Sequence, residues 1–172
     1  MTHLTEEQKT EYFRRSYTAV DGLWFMKVEE MLGFDEALRV DEAVWKVLPK
    51  IQARALKGMM HLPEGLVGLE QALCVRLDLE GFEYEIELRA EGLVVIVKRC
   101  PWHDLMIKSG RGELSERVSD LICRVENSVW ASEFSEEKGK IGKGEDRKIG
   151  FEREERICRG EGRCVLSFCR QE

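Results

Sequence analysis

The sequence predicts an α+β protein in which N-terminal helices pack on an antiparallel sheet of two hairpins, with a helix between the hairpins. Three observations support this fold class. Residues 1–78 repeat apolar side chains at helical spacing. Residues 82–88 alternate as strands do and are followed by a continuous apolar run at 93–97, and residues 151–169 form a second strand pair around a glycine-containing turn. We expect a single domain over residues 1–172, with a helical part at 1–78 and a hairpin-helix-hairpin part at 79–172.

The helices follow from local patterns. Thr5-Glu-Glu-Gln8 fits a capping box and starts a first helix, whose apolar stripe runs to about Leu32. A second helix contains Pro49, which is expected to kink or split it, and a third helix follows Pro63. Helical spacing returns over residues 112–134.

The strands follow from a change of period. Phe82-Glu-Tyr84-Glu-Ile86-Glu-Leu88 alternates apolar and acidic residues, which predicts a strand with one solvated face. Leu93-Val-Val-Ile-Val97 predicts a more buried strand, and two closing strands are expected at about 151–158 and 163–169. Residues 135–150 combine four glycines with many charges and therefore predict a flexible loop.

Composition limits the classes of function. A net charge of -6 and an isoelectric point near 5.3 argue against a nucleic-acid partner, which would need a basic face. No apolar run approaches the roughly 18 residues that a membrane span requires, and residues 1–8 lack the pattern of a signal peptide. We therefore expect a cytoplasmic protein with no membrane partner. Abundant Glu, Lys and Arg beside one Asn are typical of a thermophile.

The six cysteines are the strongest functional signal. In a reducing cytoplasm such cysteines favour metal binding or catalysis, while disulfides, known inside thermophile proteins, and free thiols stay open alternatives. Cys158 and Cys164 flank a glycine turn that lets both thiols converge, and Cys123 and Cys100 would complete a site of four thiolates. Such a site suits zinc or an iron–sulfur cluster. The other two cysteines are expected to be a core residue and an incidental thiol: Cys74 and Cys169.

Two further side chains are candidate metal ligands. Glu155 would add a carboxylate to the thiolates, which suits zinc in mixed ligation. In a regular strand, however, the side chains of Glu155 and Cys158 would point to opposite faces. His103, three residues after Cys100, is the alternate ligand.

A small-molecule pocket is expected beside the cysteines. Trp102 and Trp130 each lie close to a cysteine in sequence and are the candidate pocket walls. His103 with Asp104 is a candidate acid–base pair. Arg111, between two glycines, is a candidate for bidentate binding of a substrate carboxylate.

The ending Glu155-x-x-Cys158-x5-Cys164-x-Leu166-x-Phe168 resembles the end of the 4-vinyl reductase domain, a small-molecule-binding module. In aromatic-sensing members of that family, the matching Glu and two Cys bind zinc together with a cysteine upstream. The wider chain is similar to the L-2-amino-thiazoline-4-carboxylate hydrolase family, including its uncharacterised archaeal relatives. The matching segments are Asp21-Gly-Leu-Trp24-Phe25, Cys100-Pro-Trp102, Ser109-Gly-Arg111, Ile122-Cys123 and Trp130-Ala-Ser-Glu-Phe134.

Residues and resemblance together lead to three hypotheses. The first is a small-molecule-binding domain with a cysteine-rich site for zinc or an iron–sulfur cluster. The second is a hydrolase of a cyclic C–N bond, in which a metal-bound water or a thiolate attacks and His103 or Glu155 transfers protons. A closed four-thiolate zinc site argues against it, because hydrolysis needs an open coordination position. The third is a structural module that forms a homodimer by pairing its long amphipathic helices.

Overall fold

The computed structural model describes residues 3–90, 92–136 and 148–171, and it confirms the α+β class. These residues form helices α1 (Glu6–Leu32), α2 (Phe34–Trp45), α3 (Leu48–Met60), α4 (Leu66–Glu80), α5 (Pro101–Lys108) and α6 (Ser115–Glu133), and strands β1 (Glu83–Leu88), β2 (Gly92–Arg99), β3 (Lys148–Arg153) and β4 (Cys164–Gln171).

The chain divides into two compact units, Met1–Ala43 and Val44–Glu172. The first unit holds α1 and most of α2, and the second holds the later helices and the whole sheet. Most of the flexible loop predicted at 135–150 lies outside the described residues, and its last three residues belong to β3.

Local sequence determines where the N-terminal helices begin. The predicted capping box is present, because the Gln8 N–H donates to the Thr5 hydroxyl at 3.2 Å and the Thr5 N–H donates to the Gln8 side chain at 3.0 Å. The predicted break at Pro49 is also present. Helix α2 ends at Trp45 and α3 begins at Leu48, so the proline lies in the first turn, where its missing N–H costs no helical hydrogen bond.

Helix α5 was not predicted from the sequence. It begins directly after Cys100 and has eight residues, which is too short for a periodic apolar pattern to stand out. Pro101 occupies the start of this helix, a position that proline favours. A helix therefore follows β2 almost directly, whereas the sequence pattern indicated only that a strand ends there.

The sheet has the order β1-β2-β4-β3, and every neighbouring pair is antiparallel. Val95 lies opposite Leu166, and Val97 lies opposite Cys164. Facing residues in an antiparallel pair project to the same side of the sheet. Because Val95 and Val97 are buried, Cys164 lies on the covered face, whereas Cys169 alternates to the other face and is exposed.

The third strand differs from its predicted bounds. It was expected at about 151–158 but ends at Arg153. Its register depends on pairing with β4, where Phe151 lies opposite Phe168, and such tertiary pairing is not visible in the local pattern. Cys158 consequently lies in a 3₁₀ turn, Ile157–Arg159, which ends at Gly160 with a φ of 81°.

One hydrophobic core lies on the covered face of the sheet. It is formed by apolar side chains from α3, α4, α6 and three strands, and burial of each large side chain stabilises the fold by about 1.5–3 kcal/mol. The largest fully buried members include Leu69, Leu73, Leu77, Leu93, Val95, Trp130, Phe134 and Phe168.

Gly68 in α4 provides a test of this packing. A Cβ at this position would lie 1.8 Å from the Pro63 carbonyl oxygen. Gly68→Ala is therefore expected to lower the free energy of unfolding by about 1–3 kcal/mol, although alanine favours the helix by about 1 kcal/mol. Gly58→Ala in α3 is the matched control, because beyond its own helical turn no described atom lies within 4 Å of such a Cβ. The control is expected to be stabilising, and chemical denaturation that gave both variants the same effect would contradict this account.

None of the helices in the described ranges combines the length and hydrophobicity that crossing a membrane requires.

Candidate functional site

The four predicted ligand cysteines come from four different segments. Cys100 follows β2 and precedes α5, Cys123 lies within α6, Cys158 lies in the 3₁₀ turn, and Cys164 begins β4. All four are partly buried free thiols. The fold thus brings together residues that are up to 64 positions apart in the sequence.

Cys100 lies where α5 begins. Burial raises the pKa of this thiol to about 12, and the N–H groups of His103 and Trp102 act in the opposite direction. Negative charge on Cys164 and Glu126 raises the pKa further. The Cys100 thiol therefore lies within electrostatic range of a second thiol and of a carboxylate.

Cys123 and Cys164 share this environment. Burial is the main cause that raises the pKa of each thiol. Charge on Cys100 and Cys164 also raises the pKa of Cys123, whereas Arg153 lowers it. The Ile157 N–H donates to the Cys164 sulfur at 3.2 Å. Cys100, Cys123 and Cys164 are therefore close enough to influence one another electrostatically, and we refer to these three partly buried residues as the thiol cluster.

Cys158 lies at the edge of this cluster. The Ser119 hydroxyl donates to its sulfur at 2.8 Å. Ser119 precedes Cys123 by one turn of α6, so the two side chains share a helix face. The neighbouring Arg159 forms an ion pair with Glu116, also on α6, at 2.7 Å. These contacts hold the 3₁₀ turn against α6.

Across residues 3–90, 92–136 and 148–171, no group of three or more His, Cys, Asp or Glu side chains has an arrangement that could hold a metal ion.

The predicted ligand Glu155 lies in a surface ion pair. Its carboxylate accepts hydrogen bonds from the Arg163 guanidinium at 2.7 and 2.9 Å, and both side chains are exposed. These bonds lower the pKa of Glu155.

Glu126 is a largely buried carboxylate that the sequence analysis missed. It follows Cys123 by three residues on α6, so both side chains lie on one helix face. Its charge affects the pKa of Cys100 and Cys123. It pairs with Arg76 at 2.6 Å, where the arginine and glutamate side chains are 5% and 12% exposed. The signal in the sequence that could have indicated this role is that Glu126 is an acidic residue within the apolar stripe of residues 118–134.

Trp102 contributes to a buried polar region beside the thiol cluster. Its ring contacts Trp45 edge-on, with 6.0 Å between centroids, and its Nε1 donates to Glu80 Oε2 at 3.3 Å. Burial raises the pKa of Glu80, and the charge of Arg76 and the bond from Trp102 lower it. The second carboxylate oxygen of Glu80 is buried and has no hydrogen-bond partner among the described residues.

Trp130 borders the same region from α6. It is fully buried, stacks on Phe134 with 6.4 Å between ring centroids, and lies 5.5 Å from the Arg76 guanidinium. Its Nε1 and the Asn127 Oδ1 are buried, and neither has a hydrogen-bond partner within the described part of the chain. Such atoms are rare in folded proteins and mark places where water or a small polar molecule binds.

His103 and Arg111 are the predicted catalytic candidates. The His103 Nδ1 lies 2.8 Å from the Ser115 hydroxyl, so the imidazole is held at the start of α6. Asp104, its predicted acid–base partner, forms an ion pair with Arg99 at 2.7 Å. Arg111 lies in the connection between α5 and α6, where its carbonyl accepts from the Leu114 N–H.

Comparison with family models identifies the family of this chain. A family model described as a family of unknown function, DUF6125, matches residues 5–136, which are 132 of the 172 residues. The chain belongs to the DUF6125 family. The DUF6125 match includes α1 to α6 and therefore Cys100, Cys123 and Glu126, whereas Cys158 and Cys164 follow it.

No curated protein matches this DUF6125 chain. Its resemblance to the 4-vinyl reductase and thiazoline-carboxylate hydrolase families remains a prediction.

Proposed function

We propose that this protein is a cytoplasmic small-molecule-binding domain with a cysteine-rich site for zinc or an iron–sulfur cluster. The observation that carries the proposal is the thiol cluster: Cys100, Cys123 and Cys164 come from three separate segments, are partly buried and lie within electrostatic range of one another. Cys158, held against α6 by Ser119, supplies a fourth thiol at the edge of the cluster. The resemblance to zinc-binding members of the 4-vinyl reductase family supports the same assignment.

The donor chemistry fits such a metal group. Burial raises the pKa of the clustered thiols because a thiolate there is poorly compensated by positive charge. A bound zinc ion or cluster supplies positive charge that keeps the thiols deprotonated, and four thiolates satisfy either group. In a mixed set of ligands, Glu126 replaces the predicted Glu155, because Glu126 borders the thiols while Glu155 pairs with Arg163.

The buried polar region beside the cluster supports small-molecule binding. Glu80 offers an acceptor oxygen and Trp130 an N–H donor, both buried and both without a partner among the residues that the structure describes. Trp102 and Arg76 border these atoms. A small polar molecule with a donor and an acceptor would satisfy both groups.

Metal analysis of anaerobically purified protein, combined with visible absorption spectra, tests the proposal. We expect either one zinc ion per chain or the broad visible absorption of an iron–sulfur cluster. Cys164→Ser is expected to lose the metal. Cys169→Ser is the matched control, because Cys169 belongs to the same strand but lies on its exposed face, and this variant should keep the metal. A wild-type protein that contains no metal and binds none when reduced would overturn the metal assignment.

A further inference from the structure

Helix α1 carries a stripe of exposed apolar side chains. None of its 27 residues is buried. Phe13, Val20, Trp24 and Met31 are 69%, 67%, 60% and 78% exposed. Exposed apolar patches of this kind mark interaction surfaces. We refer to these four residues as the α1 stripe.

The α1 stripe has the spacing of a helix-pairing seam. Together with Tyr17, its residues recur at steps of four, three, four and seven, which are the a and d positions of a heptad. The partly buried residues of α1 include a row displaced by one position, or about 100° around the helix: Arg14, Thr18, Asp21, Phe25 and Val28. The stripe therefore projects at roughly a right angle to the row that is partly covered.

We propose that the α1 stripe binds the α1 stripe of a second copy, in antiparallel direction, to form a homodimer. In this arrangement Phe13 lies opposite Met31 of the second copy and Val20 lies opposite its Trp24, so each pair occurs twice around a two-fold axis. A surface that complements itself in this way needs no other partner.

Charge favours the antiparallel direction. Residues 11–19 carry Arg14, Arg15 and Glu11, which pairs with both arginines, and this makes the segment +1. Residues 20–32 contain three acidic residues and Lys27, which makes that segment -2. Antiparallel pairing sets each positive segment beside a negative one, whereas parallel pairing sets like charges together. The helix dipoles also favour antiparallel neighbours.

The available area is close to what a stable dimer requires. A helix of 27 residues is about 40 Å long. Burying the exposed parts of the four residues of the α1 stripe would cover roughly 600 Å² per copy, compared with about 800 Å² per partner in a standard interface.

Sedimentation analysis of the full chain tests the proposal. We expect the wild-type protein to have twice the monomer mass of 19.9 kDa at micromolar concentration. The Val20→Glu/Trp24→Glu variant should be a monomer with unchanged helix content by circular dichroism. Ala19→Glu is the matched control, because Ala19 is exposed on α1 outside the stripe, and this variant should stay dimeric. A wild-type monomer, or a Val20→Glu/Trp24→Glu variant that folds and remains dimeric, would overturn the proposal.

Chemical cross-linking tests the direction. In the antiparallel arrangement, the Lys9 residues of the two copies are about 39 Å apart along the helix axis, beyond the reach of short lysine cross-linkers. A mixture of isotope-labelled and unlabelled chains should therefore give no link between Lys9 of one copy and Lys9 of the other. Such a link would contradict the antiparallel pairing.

Discussion

Replacing Arg76 with methionine is expected to lower the free energy of unfolding by about 3–5 kcal/mol, because it removes the guanidinium that pairs with the largely buried Glu126 carboxylate at 2.6 Å. The guanidinium has two further roles that methionine cannot take over. Its charge stabilises the ionised form of Glu80, and it lies over the Trp130 ring. Urea denaturation at pH 7, followed by tryptophan fluorescence, measures the change.

Two controls distinguish this buried pair from ordinary ion pairs. The Arg76→Met/Glu126→Leu double variant should recover much of the lost stability, because it removes both charges. Arg39→Met breaks the exposed pair with Glu36 and should leave the free energy of unfolding nearly unchanged. If Arg76→Met changed the free energy of unfolding as little as Arg39→Met, the prediction that the pair of Arg76 and Glu126 stabilises the fold would be contradicted.

The metal-free, reduced protein is expected to lose stability steeply above about pH 9. An unfolded cysteine ionises near its ordinary pKa of 9.0, whereas the folded Cys100 thiol keeps its proton up to about pH 12. Between these values the unfolded state releases a proton that the folded state retains, so stability falls by about 1.4 kcal/mol per pH unit for each such thiol. Cys123 adds to this loss, since its pKa is also raised by burial. Denaturation at pH 8 and pH 10, with reductant and chelator, measures the slope.

Matched variants isolate the thiols from other groups that titrate at alkaline pH, such as Tyr84, whose pKa burial also raises. Cys123→Ala should show a shallower loss between pH 8 and pH 10. Cys169→Ser, which removes an exposed thiol, should keep the wild-type slope. Identical slopes in all three proteins would contradict a buried thiol cluster.

The parts of the fold that the sequence predicted depend on local rules. The capping box at Thr5 and the break at Pro49 each involve residues a few positions apart, and both are confirmed. Helix α5 and the end of β3 were missed. Eight residues are too few to show a helical period, and the end of a strand depends on the length of its partner.

The same distinction applies to the site. The ability of cysteines to bind metals follows from the residue type, so the sequence alone indicates these candidate ligands. The role of each carboxylate depends on which arginine reaches it. Glu126 meets Arg76 across 50 residues of chain, and Glu155 meets Arg163 beside the strand that follows. Ion-pair partners that only folding brings together have no fixed spacing in the sequence, so the sequence does not reveal them.

Strand β4 joins the two hairpins of the sheet. It is hydrogen-bonded to β2 on one side and to β3 on the other, so the two hairpins meet through it. Cys164 is the first residue of this strand. A ligand held by the Cys164 sulfur would therefore be attached to the strand through which the two hairpins meet.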